Sequence, residues 1–399
     1  MAFKEILSTP GIKPVLFTLF MASFGFGVIL PLLPFYAESL GAKPYELGML
    51  TATFATMSLI FAPLFGRLSD SIGRKKVLMI GTAGFSASYI VFAFSNSLPM
   101  LFVARGLEGL FAAGIFPASI SLLSDLTSDA NRGRAMGLVG MSFSLGFIVG
   151  PAFGGLASGI SVQAAFLLAA GLAAINFASV RFQITEPAPK EQGKDIIGKE
   201  VRLFEHLTSP LVFVFLSTFV IAFMFGGLDA TLAIYTGDEM GFSSPQVGLV
   251  FTFIGFLIMA MQFAGGALIS KYGELRMIPV GFALSGLGFF TLIWAHSWPF
   301  LLASLAIFVA GNALVFPSVN SLVSKRVTTN RGAALGLVTS FQSLGQIIGP
   351  LTGGFLYGYS HDYPFAAMAL VIWAYAAVFI LIGRPKLTAG NARKDSANA

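Results

Sequence analysis

The sequence RGRAMGLVGMSFSLGFIVGPAFGGLASG, residues 132–159, returns in altered form as RGAALGLVTSFQSLGQIIGPLTGGFLYG at residues 331–358. The copies are 199 positions apart, and 15 of their 28 aligned positions are identical without a gap. This displacement is about half of the 399-residue chain, so the repeat predicts two homologous halves. Both copies are apolar with recurring glycines, which is typical of closely packed membrane helices.

The composition indicates a polytopic membrane protein. Hydrophobic residues make up 56% of the chain and charged residues 11%, against roughly 45–50% and 25% in soluble domains. The basic residues lie in short breaks between apolar runs, which argues against a nucleic-acid-binding surface. The absence of cysteine excludes disulfides and thiolate metal sites, and the three histidines are scattered. We therefore expect neither a metal site nor a cofactor.

Twelve apolar runs are each about long enough to cross a bilayer as an α-helix. They lie near residues 12–37, 46–66, 77–95, 98–123, 135–158, 163–183, 210–236, 246–270, 277–295, 298–323, 332–358 and 364–383. The predicted fold is an all-α membrane protein with twelve transmembrane helices in two pseudo-symmetric six-helix bundles.

The distribution of Lys and Arg predicts the orientation. All of them except Lys43 and Arg105 fall on one side of the membrane if the runs alternate in direction. By the positive-inside tendency that side is cytoplasmic, and both termini lie there. The polar segment 184–209 reads as a linker. The predicted organisation is an N-terminal bundle at 1–183, this linker, a C-terminal bundle at 210–385 and a cytoplasmic tail at 386–399.

Three motifs carry a family resemblance. GRLSDSIGRKK, residues 66–76, resembles the signature loop of the major facilitator superfamily. It matches at Gly66, Leu68, Asp70, Gly73, Arg74, Lys75 and Leu78, with Ser71 in place of the usual basic residue. RGLEGLFAAG, beginning at Arg105, is similar to the second signature, with Glu108 where Gln is common. Gly146, Gly150, Pro151, Gly154 and Gly155 resemble the fifth-span pattern of the proton-coupled drug antiporters in that superfamily.

The loop motif suggests a cytoplasmic gate. Gly66 and Gly73 permit tight turns or close backbone approach. Asp70 lies among basic residues and could latch the two halves through charge pairs, with Asp125 as a candidate partner for Arg74 or Lys75. The alternative is that these residues only fix the topology.

The glycines of the fifth span recur at every fourth residue and share one helix face, where close helix contact is possible. We expect this face to pack between the halves, and Pro151 to bend the helix. Gly349, Pro350, Gly353 and Gly354 repeat much of the pattern, so part of it reflects the duplicated architecture. The antiporter assignment comes from the resemblance alone.

Charges inside spans are costly and usually face a cavity or a partner. Arg105 and Glu108 share a face of the fourth span. They either neutralise each other, or Glu108 exchanges protons or meets a cationic substrate while Arg105 tunes its affinity.

Asp229 lies in the seventh span without a basic residue nearby in sequence. Because burial disfavours a charged carboxylate, it could accept a proton from outside and release it elsewhere. The surrounding FGGLDATLAIYTGDE looks similar to drug antiporters of the superfamily. The alternatives are an acid in external water or one paired with Arg105. Asn312 and Asn176 could line a cavity or join helices, and we favour Asn312 for the cavity.

The resemblance implies a proton-coupled antiporter that exports hydrophobic or amphipathic, often cationic, drugs by alternating access. Its partners would be a small-molecule substrate, protons and the lipid bilayer of the cell membrane, and we expect a monomer. The alternative is an exporter of sugars, a metabolite or a lysolipid with the same fold. A membrane enzyme is disfavoured because the sequence shows no clustered metal ligands and no nucleophile–base arrangement. A passive channel is the remaining alternative.

Overall fold

The computed structural model describes residues 6–186, 209–326 and 331–388. These ranges form twelve long α-helices and no β-strand. The helices are α1 Ile12–Ser39, α2 Pro44–Ile72, α3 Arg74–Ala93, α4 Leu98–Leu126, α5 Asp129–Ser158, α6 Val162–Gln183, α7 Val212–Met240, α8 Ser244–Tyr272, α9 Glu274–Leu292, α10 Trp298–Arg326, α11 Arg331–Tyr357 and α12 Tyr363–Val378. A five-residue π-helix, Phe379–Gly383, continues α12.

The helices confirm the predicted all-α membrane fold. Within the described ranges, 11 helical segments are long and apolar enough to cross a membrane, and they fall in every helix except α11. That helix has 27 residues, about 40 Å of rise. The predicted linker falls mostly outside the described ranges, as does most of the predicted tail. The division into 1–183, 184–209, 210–385 and 386–399 stays a prediction.

The repeated glycines determine how α5 packs on α1. A Cβ atom added to Gly146 would collide with the carbonyl oxygen of Phe20, and one added to Gly150 with that of Phe24. A Cβ at Gly154 would lie 2.6 Å from the carbonyl oxygen of Val28. Because side chains are absent here, the two helix backbones come into direct contact.

The second half repeats this contact between α11 and α7. A Cβ at Gly345 would collide with the carbonyl oxygen of Phe219, and one at Gly349 with that of Phe223. All of these positions are displaced by 199 from their counterparts in α5 and α1. The prediction that the glycine face packs between the halves is wrong for Gly146, Gly150 and Gly154, because this face joins two helices of one half.

A buried polar pair ties the first and last helices of each half. Thr18 on α1 shares a hydrogen bond of 3.2 Å with Asn176 on α6. Ser217 on α7 shares one of 2.8 Å with the Tyr375 hydroxyl on α12. The partners are 158 residues apart in both halves, and the pairs are related by the same displacement of 199. Asn176 therefore joins helices.

Packing contacts divide the chain into two compact units. The first contains α1 to α6 together with Leu232–Phe256, which is the end of α7 and the beginning of α8. The second contains the beginning of α7 and the chain from Leu257 onward. The assignment of Leu232–Phe256 to the first unit follows from its own contacts. A Cβ at Gly248 would lie 2.5 Å from the carbonyl oxygen of Pro151, and the Thr252 hydroxyl donates to the carbonyl of Ile148 at 3.1 Å.

Candidate functional site

The Arg105–Glu108 ion pair lies in the interior of the first unit. Both residues are on α4, three positions apart, so their side chains leave the helix on the same face. The side chains are 2% and 0% exposed, and Arg105 Nη1 lies 2.5 Å from Glu108 Oε2. In an apolar bundle, burial of either charge alone would be far more costly than burial of the pair.

Aromatic residues from three other helices surround the pair. The Tyr89 hydroxyl on α3 donates to Glu108 Oε1 at 3.5 Å. The guanidinium of Arg105 lies over the rings of Phe54 on α2 and Phe26 on α1, at 4.9 and 5.9 Å from their centroids. Its Nε atom is buried and has no hydrogen-bond partner within the described ranges. The aromatic faces supply part of the stabilisation that Arg105 would otherwise obtain from water.

Two glycines make room for this cluster. A Cβ at Gly25 on α1 would lie 2.6 Å from the Tyr89 hydroxyl oxygen and 2.7 Å from Phe85. A Cβ at Gly109, next to Glu108, would collide with the backbone of Phe54. Gly109 therefore allows α2 to pack directly against α4 and places Phe54 over Arg105.

Asp229 and Asn312 belong to the second unit. Asp229 is partly buried on α7, between the buried residues Leu228 and Ala230. Asn312 on α10 is 6% exposed, and the neighbouring Gly311 packs closely on Gly281 and Ser285 of α9. Both polar residues therefore lie away from the helix ends, and their functional roles stay predictions.

The signature loop turns sharply at Gly73. This residue ends α2 and begins α3 with φ of 96°, a conformation that favours glycine. Arg74 Nη1 lies 2.5 Å from Asp125 Oδ2 on α4, so the pair forms as proposed for these two residues. The backbone amides of Arg74 and Lys75 donate to Glu186, three residues beyond the end of α6, over 2.7 and 2.9 Å.

Other residues of this motif make fewer contacts. Gly66 lies within α2, where a Cβ would have no neighbour within 4 Å among the described atoms. The prediction that Gly66 permits a tight turn or close approach is therefore wrong. Asp70 is exposed in the last turn of α2 and forms no ion pair inside the described ranges. Its role as a latch stays a prediction, as does any gating role of Lys75.

The last part of the fifth-span motif contacts α8. A Cβ at Gly155 would lie 2.8 Å from the carbonyl oxygen of Ser244 and 3.0 Å from Pro245. Pro151 is buried inside α5, which stays helical on both sides of it. Its ring occupies the space beside Gly27 of α1. Within the first unit, Pro151 therefore packs on α1 of the first sequence half, and Gly155 packs on the beginning of α8 of the second half.

Comparison with known proteins identifies the family. The sequence profile of the Major Facilitator Superfamily matches residues 15–243 and again 214–398. The chain belongs to the Major Facilitator Superfamily. Superfamily relatives include Multidrug resistance protein 1 of Bacillus subtilis, 29% identical over 88% of this chain and 90% of that protein. The class B Tetracycline resistance protein of Escherichia coli is 31% identical over 85% of this chain and 86% of its own length.

Solved superfamily structures share the fold. A bacterial homologue of the human lysosomal transporter Spinster superposes with a TM-score of 0.77 at 15% identity, over 94% of this chain and 96% of that one. The human organic anion transporter MFSD10 gives a TM-score of 0.69 at 24% identity, over 92% and 98%. Superfamily membership and fold indicate a transporter, and the multi-pass helices place the chain in a membrane.

Several residues at these sites were not found from the sequence. Tyr89, Phe26 and Phe54 come from three different helices, and nothing in their spacing connects them to Glu108. Glu186 lies in a segment that reads as linker. The sequence does carry one signal for the region around Glu186. Arg74 and Asp125 correspond to Glu274 and Lys325 in the second half, so the signs of the two charges are exchanged between the halves.

Proposed function

We propose that this member of the superfamily exports hydrophobic or amphipathic, often cationic, drugs across the cell membrane in exchange for protons, by alternating access. The observation that carries the proposal is the similarity to drug-resistance proteins along most of the chain. Besides the two relatives above, the Quinolone resistance protein NorA of Staphylococcus aureus is 27% identical over 92% of this chain. These relatives are named for multidrug, tetracycline and quinolone resistance, which supports a broad rather than a narrow substrate class.

Glu108 and Asp229 are the proposed proton-coupling residues. Glu108 is buried, and its two oxygens meet Arg105 and Tyr89. Protonation of this carboxyl group would remove its charge and release Arg105 from the ion pair. Such a change in charge balance can bias a conformational equilibrium, because a buried unpaired cation is costly. Asp229 supplies a second carboxyl group within a span, and Asn312 a polar group for the substrate.

The loop around Arg74 and Asp125 is the proposed cytoplasmic gate, together with Asp70 and Lys75. Close packing at Gly155 and Pro151 supports contact between α5 and α8. We also propose that both termini are cytoplasmic, because the basic residues gather on that side, and that the protein works as a monomer.

The deciding experiment measures transport in proteoliposomes with an imposed pH gradient. A panel of fluorescent dyes and drugs, including ethidium, is tested with the wild type, Asp229→Asn and Glu108→Gln. We expect gradient-driven dye movement in the wild type, with loss of proton-linked flux in at least one variant. Dye movement that does not saturate and shows no counter-flow would indicate a channel. Dye movement that does not depend on the pH gradient in the wild type or in either variant would contradict the proposal.

The alternative is export of a sugar, a metabolite or a lysolipid by the same fold. Sugar recognition favours many hydrogen-bonding groups around a cavity, and this chain supplies few inside its spans. Competition by sugars or lysolipids in the same vesicles, with no effect of drugs, would favour this alternative.

A further inference from the structure

Among the described residues, an ion pair joins the third and fourth helices of each half, and these two pairs have opposite polarity. We name them the first staple, Arg74–Asp125, and the second staple, Glu274–Lys325. Both residues of the second staple stand 200 positions after those of the first. Gly73 and Gly273 precede them with φ of 96° and 81°, so the backbones match while the charges are exchanged.

The polarity of the second staple suits its helices. Glu274 begins α9, where the partial positive charge of a helix N-terminus favours an anion. Lys325 lies in the last turn of α10, where the partial negative charge favours a cation. Glu274 also accepts a hydrogen bond of 2.7 Å from the Ser321 hydroxyl. This staple therefore needs no additional charged group.

The first staple is placed against both helix dipoles. Arg74 begins α3, where a cation is unfavourable, and Asp125 lies in the last turn of α4, where an anion is unfavourable. The pair is also imperfectly bonded. Arg74 Nε is buried without a hydrogen-bond partner in the described ranges, and Asp125 Oδ2 accepts no well-directed hydrogen bond there.

Glu186 places a negative charge at the N-terminus of α3, where the first staple has a positive one. Each of its carboxylate oxygens accepts a hydrogen bond from one backbone amide in the first turn of α3, so the carboxylate lies at the helix N-terminus. A Cβ at Gly73 would lie 2.8 Å from the Glu186 carboxyl carbon, so a larger residue there would displace this carboxylate. At Gly273 a Cβ would meet none of the described atoms within 4 Å.

We propose that Glu186 is a positioning residue for the signature loop: it caps α3 and thereby holds the first staple, whereas the second staple is stable by its own polarity. The functional consequence rests on the proposed transport activity. Because Glu186 lies near the beginning of the predicted linker, 184–209, we expect the geometry of the signature loop to depend on the position of this residue.

The test combines Glu186→Ala with reversal of the first staple, Arg74→Glu and Asp125→Lys. Hydrogen–deuterium exchange is measured on a peptide spanning residues 70–78 in purified protein, with the peptide spanning residues 270–278 as internal control. In the native background, Glu186→Ala should speed exchange at 70–78 about five- to tenfold, as loss of a typical helix cap does. Exchange at 270–278 should not change.

In the reversed background, Glu186→Ala should have no effect or slow the exchange, because a glutamate at position 74 then suits the helix N-terminus. Equal acceleration in both backgrounds would overturn the proposal, as would unchanged exchange in the native background. Size-exclusion profiles identify variants that fail to fold. If reversal of the first staple alone prevents folding, Glu186→Asp is compared with Glu186→Ala instead. The proposal then requires slower exchange at 70–78 in Glu186→Asp than in Glu186→Ala.

Ethidium efflux is measured on the same variants. Glu186→Ala should lower the maximal rate and leave the KM for ethidium unchanged, because the described hydrogen bonds of Glu186 go to the first turn of α3 and not to a residue proposed to meet the substrate. Glu186→Asp should retain more of the rate than Glu186→Ala. Exchange that follows the prediction without any ethidium transport in the wild type would count against the proposed function alone. Transport without the predicted exchange would count against the capping role alone.

Discussion

At the scale of single residues, the Arg105–Glu108 pair places two opposite charges in the interior of the first unit. Both side chains are buried, and each compensates the charge of the other. The sequence indicated the pair correctly, since two opposite charges three residues apart on a span share a face. It could not indicate Tyr89 or Phe54, because these residues reach the pair through contacts between helices at Gly25 and Gly109.

Removal of one member of this pair should be much more harmful than removal of both. We expect Arg105→Met to lower the free energy of unfolding by about 3–5 kcal/mol, because it leaves the Glu108 carboxylate buried and uncompensated. The double variant Arg105→Met with Glu108→Met should recover more than half of that loss. Thermal unfolding in detergent measures both. Additive losses in the double variant would show that the charges do not depend on each other.

Tyr89 should contribute modestly through its hydroxyl group. The hydrogen bond to Glu108 is long, so Tyr89→Phe should cost no more than about 1 kcal/mol of stability. The ring packs against Phe85 and Phe92, and Tyr89→Ala should cost about 3–5 kcal/mol through the cavity it leaves. Unfolding of the two variants separates the hydroxyl from the ring, and equal losses would contradict this division.

At the scale of helices, glycine position decides whether a substitution is tolerated. We expect Gly150→Ala to destabilise the protein by about 1–3 kcal/mol, because the added methyl group meets the backbone of Phe24. Gly140→Ala on the same helix should be neutral or stabilising, since a Cβ there has no neighbour among the described atoms within 4 Å. Gly349→Ala should match Gly150→Ala. Thermal unfolding of all three variants checks the prediction.

The helices were largely predictable from the sequence, and their partners were not. Apolar length and the internal repeat were sufficient to predict twelve spans. Spacing showed that Gly146, Gly150 and Gly154 share a face, but a face does not specify which helix covers it. That choice is made by complementary backbone on α1, where Phe20, Phe24 and Val28 present carbonyl groups at matching intervals.

At the scale of the whole molecule, the lack of cysteine permits a direct test of orientation. Cysteines introduced one at a time at Ala2 and Asn398 should react with a membrane-impermeant maleimide from the same side of a vesicle. Ser97→Cys, between α3 and α4, should react only from the other side. Labelling of the two termini from opposite sides would contradict an even number of crossings.

The helical spacing of Arg105 and Glu108 also has a consequence for biosynthesis. The two side chains can meet as soon as α4 itself is helical, before any other helix is in place. A lone charge near the centre of a helix adds about 2.5–3.5 kcal/mol to the free energy of membrane insertion at the translocon. The nascent fourth helix can therefore leave the translocon with Arg105 and Glu108 already paired, so that neither enters the membrane as a lone charge.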